Sequence, residues 1–180
     1  MAHFADPSEF VALVLGFEHT AFRLEVRDRY NEPSEAQIVR RFLNTGNLND
    51  SYMADWIEEL SPRIATGQRM ERVRVVSEPH SDYTRFGLAL AAHNTAAGED
   101  IRYLPRHQAA ELDLPGHDFW LIDSTTLLLL RFGEDDVLLG ADVVTDPAAV
   151  VRHCYYRDVA RHYATPWSEY KNRVQLSEGP

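Results

Sequence analysis

A histidine and two aspartates lie close together in the segment "LPGHDFWLIDSTTLLLLRF", residues 114–132. His117 and Asp118 precede an apolar stretch, and Asp123 follows it. An imidazole beside a carboxylate is a usual arrangement for a general base or a covalent nucleophile. A hairpin with a polar turn would explain the same residues without catalysis. The stretch therefore indicates either a catalytic pair, His117 and Asp118, or a structural turn, and we predict no metal site.

The segment "SEPHSDYTRF", residues 77–86, joins a predicted strand to a predicted helix. Ligands of open α/β sheets favour the crevice beyond the carboxyl ends of the strands, where a helix N-terminus offers N–H groups to an anion. The turn therefore predicts a site for a small anionic ligand. Its candidate ligand-binding residues are Glu78, Ser81, Asp82, Tyr83, Arg85, the arginines Arg74 and Arg102, and His117 and Asp118 of the first segment. The structural alternative is that Ser81 caps the helix, Asp82 complements its dipole and Arg85 pairs with a carboxylate.

The charge of the chain limits its partners. Its 28 acidic residues oppose 18 basic residues and give a formal net charge of −10. This balance disfavours direct nucleic-acid binding, because neutralising phosphates needs a basic surface. Lys171 is the sole lysine, so it is also the sole candidate for any mechanism that needs one.

Other sequence features exclude several classes of protein. Cys154 is the sole cysteine, which excludes disulfide frameworks and cysteine zinc sites within one chain. The chain has no apolar run of membrane-spanning length, and its first residues lack the order of a secretory signal. We therefore expect a cytoplasmic protein with no membrane association. No nucleotide-binding or other cofactor motif is present, so we predict no cofactor.

The hydrophobic pattern predicts one α/β domain over residues 1–166, with a polar tail over 167–180. The part over residues 1–68 has a helix at 6–16, an alternating strand at 21–30 that is typical of a sheet edge, and helices at 33–43 and 50–60. Asp6, Ser34 and Asp146 are expected to cap the helices that follow them. Strands and helices alternate over 69–164, which favours a mixed, mostly parallel sheet flanked by helices. In the last predicted helix, His153, Arg157 and Arg161 recur every four residues and are expected on an exposed face.

Four blocks, "FEHTAFRLEVRDRY", "RVRVVSEPHSDYTRF", "AGEDIRYLPR" and "LPGHDFWLIDS", resemble an uncharacterised domain-of-unknown-function family of actinomycetes. The blocks occur in the right order and span nearly the whole chain. Members of that family are often encoded beside helix-turn-helix regulators. The resemblance therefore implies such a regulator as a partner, and it implies no established activity.

The second part of the chain is similar to one half of a phospholipase-D-like domain, with residues 1–68 as an N-terminal helix and strand extension. Catalytic members of that family carry the motif HxKxxxxD. His117 matches its histidine, but Phe119 stands in place of the lysine and Asp123 comes one residue early. The resemblance thus implies the fold with a degenerate motif, which favours binding over catalysis.

These observations predict a non-catalytic regulatory module that binds a small anionic ligand or a protein partner, acting with a helix-turn-helix regulator. The alternative is a phosphoester hydrolase or transferase that uses His117 with a nearby carboxylate, Glu78 or Asp82. A structural dimerisation domain, with an apolar surface on the first two helices, is a third class that the sequence leaves open.

Overall fold

Alternating strands and helices make up most of the chain. The computed structural model describes residues 3–48 and 53–177. The strands are β1 (His3–Ala5), β2 (Thr20–Glu25), β3 (Arg69–Val76), β4 (Asp100–Pro105), β5 (Phe119–Ile122), β6 (Thr126–Phe132), β7 (Leu138–Val144) and β8 (Thr165–Pro166). The helices are α1 (Pro7–Leu15), α2 (Ala36–Thr45), α3 (Ala54–Ala65), α4 (Asp82–Ala96), α5 (Arg106–Ala109), α6 (Pro147–Tyr163) and α7 (Trp167–Ser177). The predicted start of the third helix, at residue 50, lies outside the described residues.

The strands form one mixed sheet, as predicted, with the order β1-β7-β6-β5-β2-β3-β4-β8 among the described residues. Only the neighbours β2–β3 and β3–β4 are parallel, and the other five neighbouring pairs are antiparallel. The expected majority of parallel pairs is therefore wrong. The reason is that short turns join β5, β6 and β7, and a short turn can connect only antiparallel strands.

β2 lies in the middle of the sheet, between β5 and β3. The prediction of an edge strand is therefore wrong. Its alternating polar residues suggested a solvent-facing side, but Glu25 is only 5% exposed. Helices cover both faces of β2, so its polar side chains face the interior of the protein. β2 also places residues of the 1–68 part in the same sheet as those of the 69–164 part.

Helices pack on both faces of the sheet and divide the core. On one face, α6 contributes Val150, Tyr156 and Ala160 to a cluster with the strand residues Phe22 and Phe119. The other face carries the helices α1, α3 and α4. Apolar burial of about 1.5–3 kcal/mol per large side chain stabilises both layers.

Polar side chains cap three helices at the predicted positions. Asp6 accepts from the backbone N–H groups of Ser8 and Glu9 at the start of α1. Ser81 accepts from the N–H of Thr84 at α4, and Asp146 caps α6 in the same way. The predicted cap at Ser34 is wrong: α2 begins at Ala36, and no side chain caps it.

Residues 167–177, which the sequence predicted as a polar tail, form α7. Tyr170 is 2% exposed, and its ring stacks on Tyr103 with centroids 4.9 Å apart. Its hydroxyl donates to Oε1 of Glu78 at 2.9 Å. The tail prediction failed because Tyr170, together with the partly buried Trp167 and Val174, anchors this mostly polar helix against the core.

Candidate ligand-binding site

Alternating charged residues of β2 and β3 meet on one face of the sheet. The two strands pair in parallel, so that Arg23 lies opposite Arg72 and Glu25 lies opposite Arg74. Because side chains alternate between the two faces of a strand, these four project to the same side. Trp120 of β5 pairs with Arg23 and extends that row. A charged patch therefore lies in the middle of the sheet.

Glu25 is the carboxylate at the centre of this patch. Its Oε1 accepts a hydrogen bond from Nη1 of Arg72 at 2.7 Å, and its Oε2 lies 2.7 Å from Nε of Arg74. Nε of Arg23 lies 3.2 Å from Oε1. The contacts of Arg23 and Arg74 are ion pairs whose N–H groups are not aligned for hydrogen bonds. We call Arg23, Glu25, Arg72 and Arg74 the arginine cluster.

The positive charge of the arginine cluster exceeds the negative charge bonded to it. Glu99, which is 1% exposed, accepts from Nε of Arg72 at 2.7 Å and adds a second carboxylate. Oδ2 of Asp118 is 3.9 Å from Nη2 of Arg23, beyond hydrogen-bond distance. Within the described residues the terminal nitrogens of Arg23 make no hydrogen bond. Arg23 therefore retains donors for a further acceptor.

Mutual attraction keeps the cluster ionised. Burial opposes the charged form of Glu25, but Arg74, Arg23 and Arg72 outweigh it and hold the pKa of Glu25 well below its usual range. Burial likewise opposes the charge on Arg74, and Glu25 overcomes it and raises the pKa of Arg74. The pKa of Arg23 is raised through the same balance of burial and Glu25. These three groups therefore stay charged at neutral pH.

A cavity of about 620 Å³ opens above the arginine cluster, which forms part of its lining. Its apolar and aromatic lining includes Phe10, Val14, Tyr30, Met53, Trp56, Tyr83, Phe86, Leu90, Trp120 and Phe132. The exposed carboxylates Glu32, Asp55 and Glu59 also line it, and their exposure places them at the opening. A largely apolar cavity with a few convergent polar groups is typical of a small-molecule site.

Besides Nε of Arg23 and Nε of Arg74, which form ion pairs only, three buried polar atoms of residues lining the cavity have no hydrogen-bond partner in the described part of the chain. They are Nε1 of Trp56, Nε1 of Trp120 and Oδ1 of Asn94. Trp120 and Asn94 are each 3% exposed. Because an unsatisfied buried polar group costs about 1–3 kcal/mol, such groups usually bind water or a ligand. These three atoms are enclosed by their neighbours beside the cavity and stay unsatisfied by the described residues.

Helix α4 approaches the arginine cluster closely at Gly87. Nη1 of Arg74 donates to the carbonyl oxygen of Gly87 at 3.0 Å. A Cβ atom at position 87 would lie 2.5 Å from that nitrogen. The position of Arg74 therefore depends on the absence of a side chain at this point of α4.

Tyr30 connects two of the sequence-predicted ligand residues, Asp118 and Tyr83. Its hydroxyl donates to Oδ2 of Asp118 at 2.6 Å, and its ring lies 5.6 Å from that of Tyr83. Asp118 also accepts from the backbone N–H of Val26 at 3.0 Å. Burial raises the pKa of Asp118, although Arg23 opposes the shift. Of the predicted residues, Arg74 and Tyr83 line the cavity and Asp118 adjoins it.

His117 lies on the other face of the sheet from Asp118, because neighbouring residues of an extended chain project to opposite sides. The two therefore do not form the predicted imidazole–carboxylate pair. Nε2 of His117 instead lies 3.1 Å from Nε2 of His153 on α6. His153 is 8% exposed, so the prediction of an exposed face at this position is wrong.

The hydrogen bonds of the histidine pair assign its tautomers. Nδ1 of His153 lies 2.8 Å from the carbonyl oxygen of Ala149, which can only accept, so this nitrogen carries the proton. Nε2 of neutral His153 is then an acceptor, and Nε2 of His117 must donate to it. Nδ1 of His117 is left with a free lone pair. A neutral imidazole of this kind can accept a proton or attack an electrophile.

The remaining predicted ligand residues have structural partners away from the cavity. Ser81 caps α4 and donates to the carbonyl oxygen of Asp28 at 2.6 Å. Asp82 and Arg85 are exposed, and Oδ1 of Asp82 lies 3.7 Å from Nη1 of Arg85. Glu78 accepts from Tyr170, and Arg102 bonds to Asp100. The structural alternative for the turn at residues 77–86 accounts for these contacts, and their role in binding stays a prediction.

Asp123 has a structural role in the β5–β6 turn. Its carboxylate accepts from the backbone N–H groups of Glu18, His19 and Thr20 at 2.7–2.8 Å. These bonds connect the turn to the start of β2. Asp123 and Ser124 both adopt positive φ, as the central residues of a type I′ turn do, and the N–H of Thr125 closes the turn on the carbonyl oxygen of Ile122 at 3.0 Å. The polar turn predicted as the alternative to catalysis thus explains Asp123.

Sequence reasoning missed Arg23, Glu25, Arg72 and Trp120 as site residues. A signal for three of them existed: charges at every second position in both "FRLEV" and "RVRVV", separated by apolar residues. Two such strands place their charges together only if they are neighbours in register, which the sequence did not reveal. Within the described residues no group of three or more metal-ligating side chains could hold a metal ion.

The fold is phospholipase-D-like. The structure is similar to Nuc, a phospholipase D family member from Salmonella typhimurium, with a TM-score of 0.55 and 12% identity over 92% of this chain and 97% of that chain. A family model described as "Domain of unknown function (DUF6879)" matches residues 8–172, so the chain belongs to that family. Both resemblances predicted from the sequence, to an uncharacterised family and to this fold, are confirmed.

A second solved structure gives a weaker match, and the curated proteins give none. TrmBL2, an archaeal chromatin protein, matches with a TM-score of 0.46 and 8% identity over 92% of this chain and 54% of that chain. That score is too low to establish a shared fold. No curated protein matches the sequence significantly. Within residues 3–48 and 53–177, every helix is too short or too polar to cross a membrane.

Replacing Glu25 by glutamine should destabilise the protein by about 3–5 kcal/mol, because it leaves buried arginines without their shared carboxylate. Urea unfolding followed by circular dichroism measures the change. Glu134→Gln is the matched control, since Glu134 is exposed in the β6–β7 turn. Equal urea midpoints for the two variants would show that the stability of the protein does not depend on the carboxylate of Glu25.

The histidine pair predicts a loss of stability in mild acid. Burial lowers the pKa of both His117 and His153 below 6.5, and the neighbouring imidazole adds to the effect at His117. The unfolded chain therefore takes up protons first, so the free energy of unfolding should fall as the pH drops below about 6.5 towards the lowered values. Stability should be constant with respect to this pair at higher pH.

The measurement is the urea midpoint of the wild type and of His153→Gln between pH 7.5 and 5. The variant should lose less stability over this range. His162→Gln, which changes an exposed histidine of the same helix, should retain the wild-type slope. Identical slopes in all three proteins would contradict the role of the pair.

Proposed function

We propose that this protein is a non-catalytic module that binds a small ligand in the cavity above the arginine cluster. The observation that carries the proposal is the buried arginine cluster at the base of a largely apolar cavity of about 620 Å³. Burying three guanidinium groups is unfavourable unless each is compensated. Arg23 is the least compensated of them, and an anionic group of a ligand would complete its set of partners.

The chemistry of the chain favours binding over turnover. Phe119, which occupies the lysine position of the phospholipase-D-like motif, is fully buried in the apolar layer under α6. Lys171 lies over the ring of Trp167 at 4.1 Å and belongs to α7, so it does not replace that lysine. A regulatory role with a helix-turn-helix partner is part of the proposal and rests on the sequence resemblance alone. Homodimer formation also stays a prediction.

Replacing Gly87 by alanine should weaken ligand binding at least about tenfold, which corresponds to about 1.4 kcal/mol. The added methyl group displaces the guanidinium of Arg74 from the base of the cavity. The test is a thermal-shift screen of small anionic, cationic and neutral compounds, followed by titration of each hit against wild type and variant.

Gly116→Ala is the matched control, because a Cβ atom at this position meets no other atom within 4 Å. It should bind every hit as the wild type does. A screen without any hit, or hits that bind Gly87→Ala and wild type equally, would refute the cavity as the binding site.

A phosphoester hydrolase or transferase activity at His117 is the second candidate function. The observation that favours it is the contact between His117 and His153, which orients the neutral imidazole of His117 with a free Nδ1 lone pair. His117 is also exposed enough to meet a substrate. His153 takes the orienting role that the sequence assigned to a carboxylate.

If this second function holds, His117→Ala should abolish hydrolysis of bis-p-nitrophenyl phosphate or p-nitrophenyl phosphate without unfolding the protein. Release of p-nitrophenol is measured for the wild type, His117→Ala and the control His162→Ala. The candidate is rejected if the wild type is no faster than His117→Ala.

A further inference from the structure

We propose that the cavity recognises a monoanionic organic carboxylate with an aromatic or bulky apolar body. This inference rests on the proposed binding function and specifies its ligand. Four features support it: the loose pairing of Arg23 within the cluster, its free terminal donors, the composition of the cavity walls, and the carboxylates at the opening.

The ion pairs of the cluster leave little positive charge for a ligand. Three arginines pair with Glu25 and Glu99, and a third carboxylate, Asp118, lies 3.9 Å from Nη2 of Arg23. Arg23 is the least tightly paired arginine, because its contact with Glu25 is the longest of the three at 3.2 Å. A ligand with two negative charges would exceed the positive charge available, so one singly charged group at Arg23 is the most that the cluster accommodates.

The free donors at the base of the cavity suit a carboxylate. The terminal nitrogens of Arg23 make no hydrogen bond to the described residues, and its side chain is 19% exposed. A guanidinium fork matches the planar geometry of a carboxylate. The ring of Trp120, on the strand residue paired with Arg23, lies 5.6 Å from the guanidinium carbon of Arg23 and holds the fork from one side. A carboxylate would therefore meet the terminal nitrogens of Arg23 at a guanidinium that is already positioned.

The walls of the cavity require more than a small inorganic anion. Trp56, Phe86 and Leu90 are among the side chains that surround a volume of about 620 Å³, far larger than one anionic group fills. An apolar ligand body would gain about 25 cal/mol for each Å² of surface removed from water. Aromatic rings would gain further from edge and face contacts with these side chains.

The opening of the cavity disfavours highly charged anions. Glu32, Asp55 and Glu59 line it and are exposed. The whole chain has a formal net charge of −10. Both features repel a phosphate dianion more strongly than a monoanion. Carboxylate is therefore favoured over phosphate as the anionic group.

Four probes of similar size separate the contributions of charge and shape. They are 3-phenylpropionate, its neutral amide 3-phenylpropanamide, phenethylamine and phenyl phosphate. Binding to the full chain is followed by tryptophan fluorescence, because Trp56 and Trp120 line the cavity, and by calorimetry. We expect 3-phenylpropionate to bind at least about tenfold more tightly than each of the other three probes.

Arg23→Gln tests the site of recognition. The variant should lose the preference for 3-phenylpropionate over its amide, while Arg85→Gln, which removes an exposed arginine of α4, should keep it. A folded Arg23→Gln protein is verified by circular dichroism. If the variant is unfolded, Arg23→Lys, which retains the charge but not the fork, should reduce the same preference.

Equal binding of acid and amide, tighter binding of phenyl phosphate, or no binding of 3-phenylpropionate would each overturn the carboxylate inference. The proposed binding function would survive these outcomes if other compounds bind the wild type and not Gly87→Ala. It would fail only if no class of compound depends on the cavity, so the two failures are distinguishable.

Discussion

The carboxylate of Glu25 is the interaction on which the centre of this structure depends. It lies among three arginines on the middle strands of the sheet, where water is largely excluded. The guanidinium groups could not remain buried together without it, since like charges repel strongly in a medium of low polarity. Glu99 accepts a hydrogen bond from Nε of Arg72. The carbonyl oxygen of Gly87 accepts one from Arg74, because the absence of a side chain brings α4 close to the cluster. Packing and charge compensation therefore constrain the same few residues.

The sheet separates two possible centres of function. The arginine cluster and its cavity lie on the face covered by α1, α3 and α4, whereas the histidine pair lies under α6 on the other face. His117 and Asp118 are adjacent in sequence but belong to different sides. A ligand in the cavity is thus shielded from His117 by the sheet. The binding and phosphoester proposals are physically independent, and one can hold without the other.

The part of the chain most accurately predicted from sequence is the order of its elements. Caps at Asp6, Ser81 and Asp146, and apolar periods between them, are local signals that act within a few residues. The expected majority of parallel pairs and the expected edge position of β2 were wrong, because both depend on contacts between distant segments. Helix α7 was missed for the same reason, since Tyr170 is buried through contacts with distant residues such as Tyr103 and Ile101.

The sequence by itself determined the mixed α/β class, the family resemblance, the degenerate motif at His117 and Phe119, and the acidic charge that disfavours nucleic acid. Only the tertiary structure decided which polar residues act together. Charges at alternate positions of β2 and β3 look like a solvent-facing pattern in each strand alone. In the folded protein, β2 and β3 pair in register and helices cover them, so the same charges form a buried cluster. The burial of a side chain depends on its neighbours in space, which the pattern of one strand does not contain.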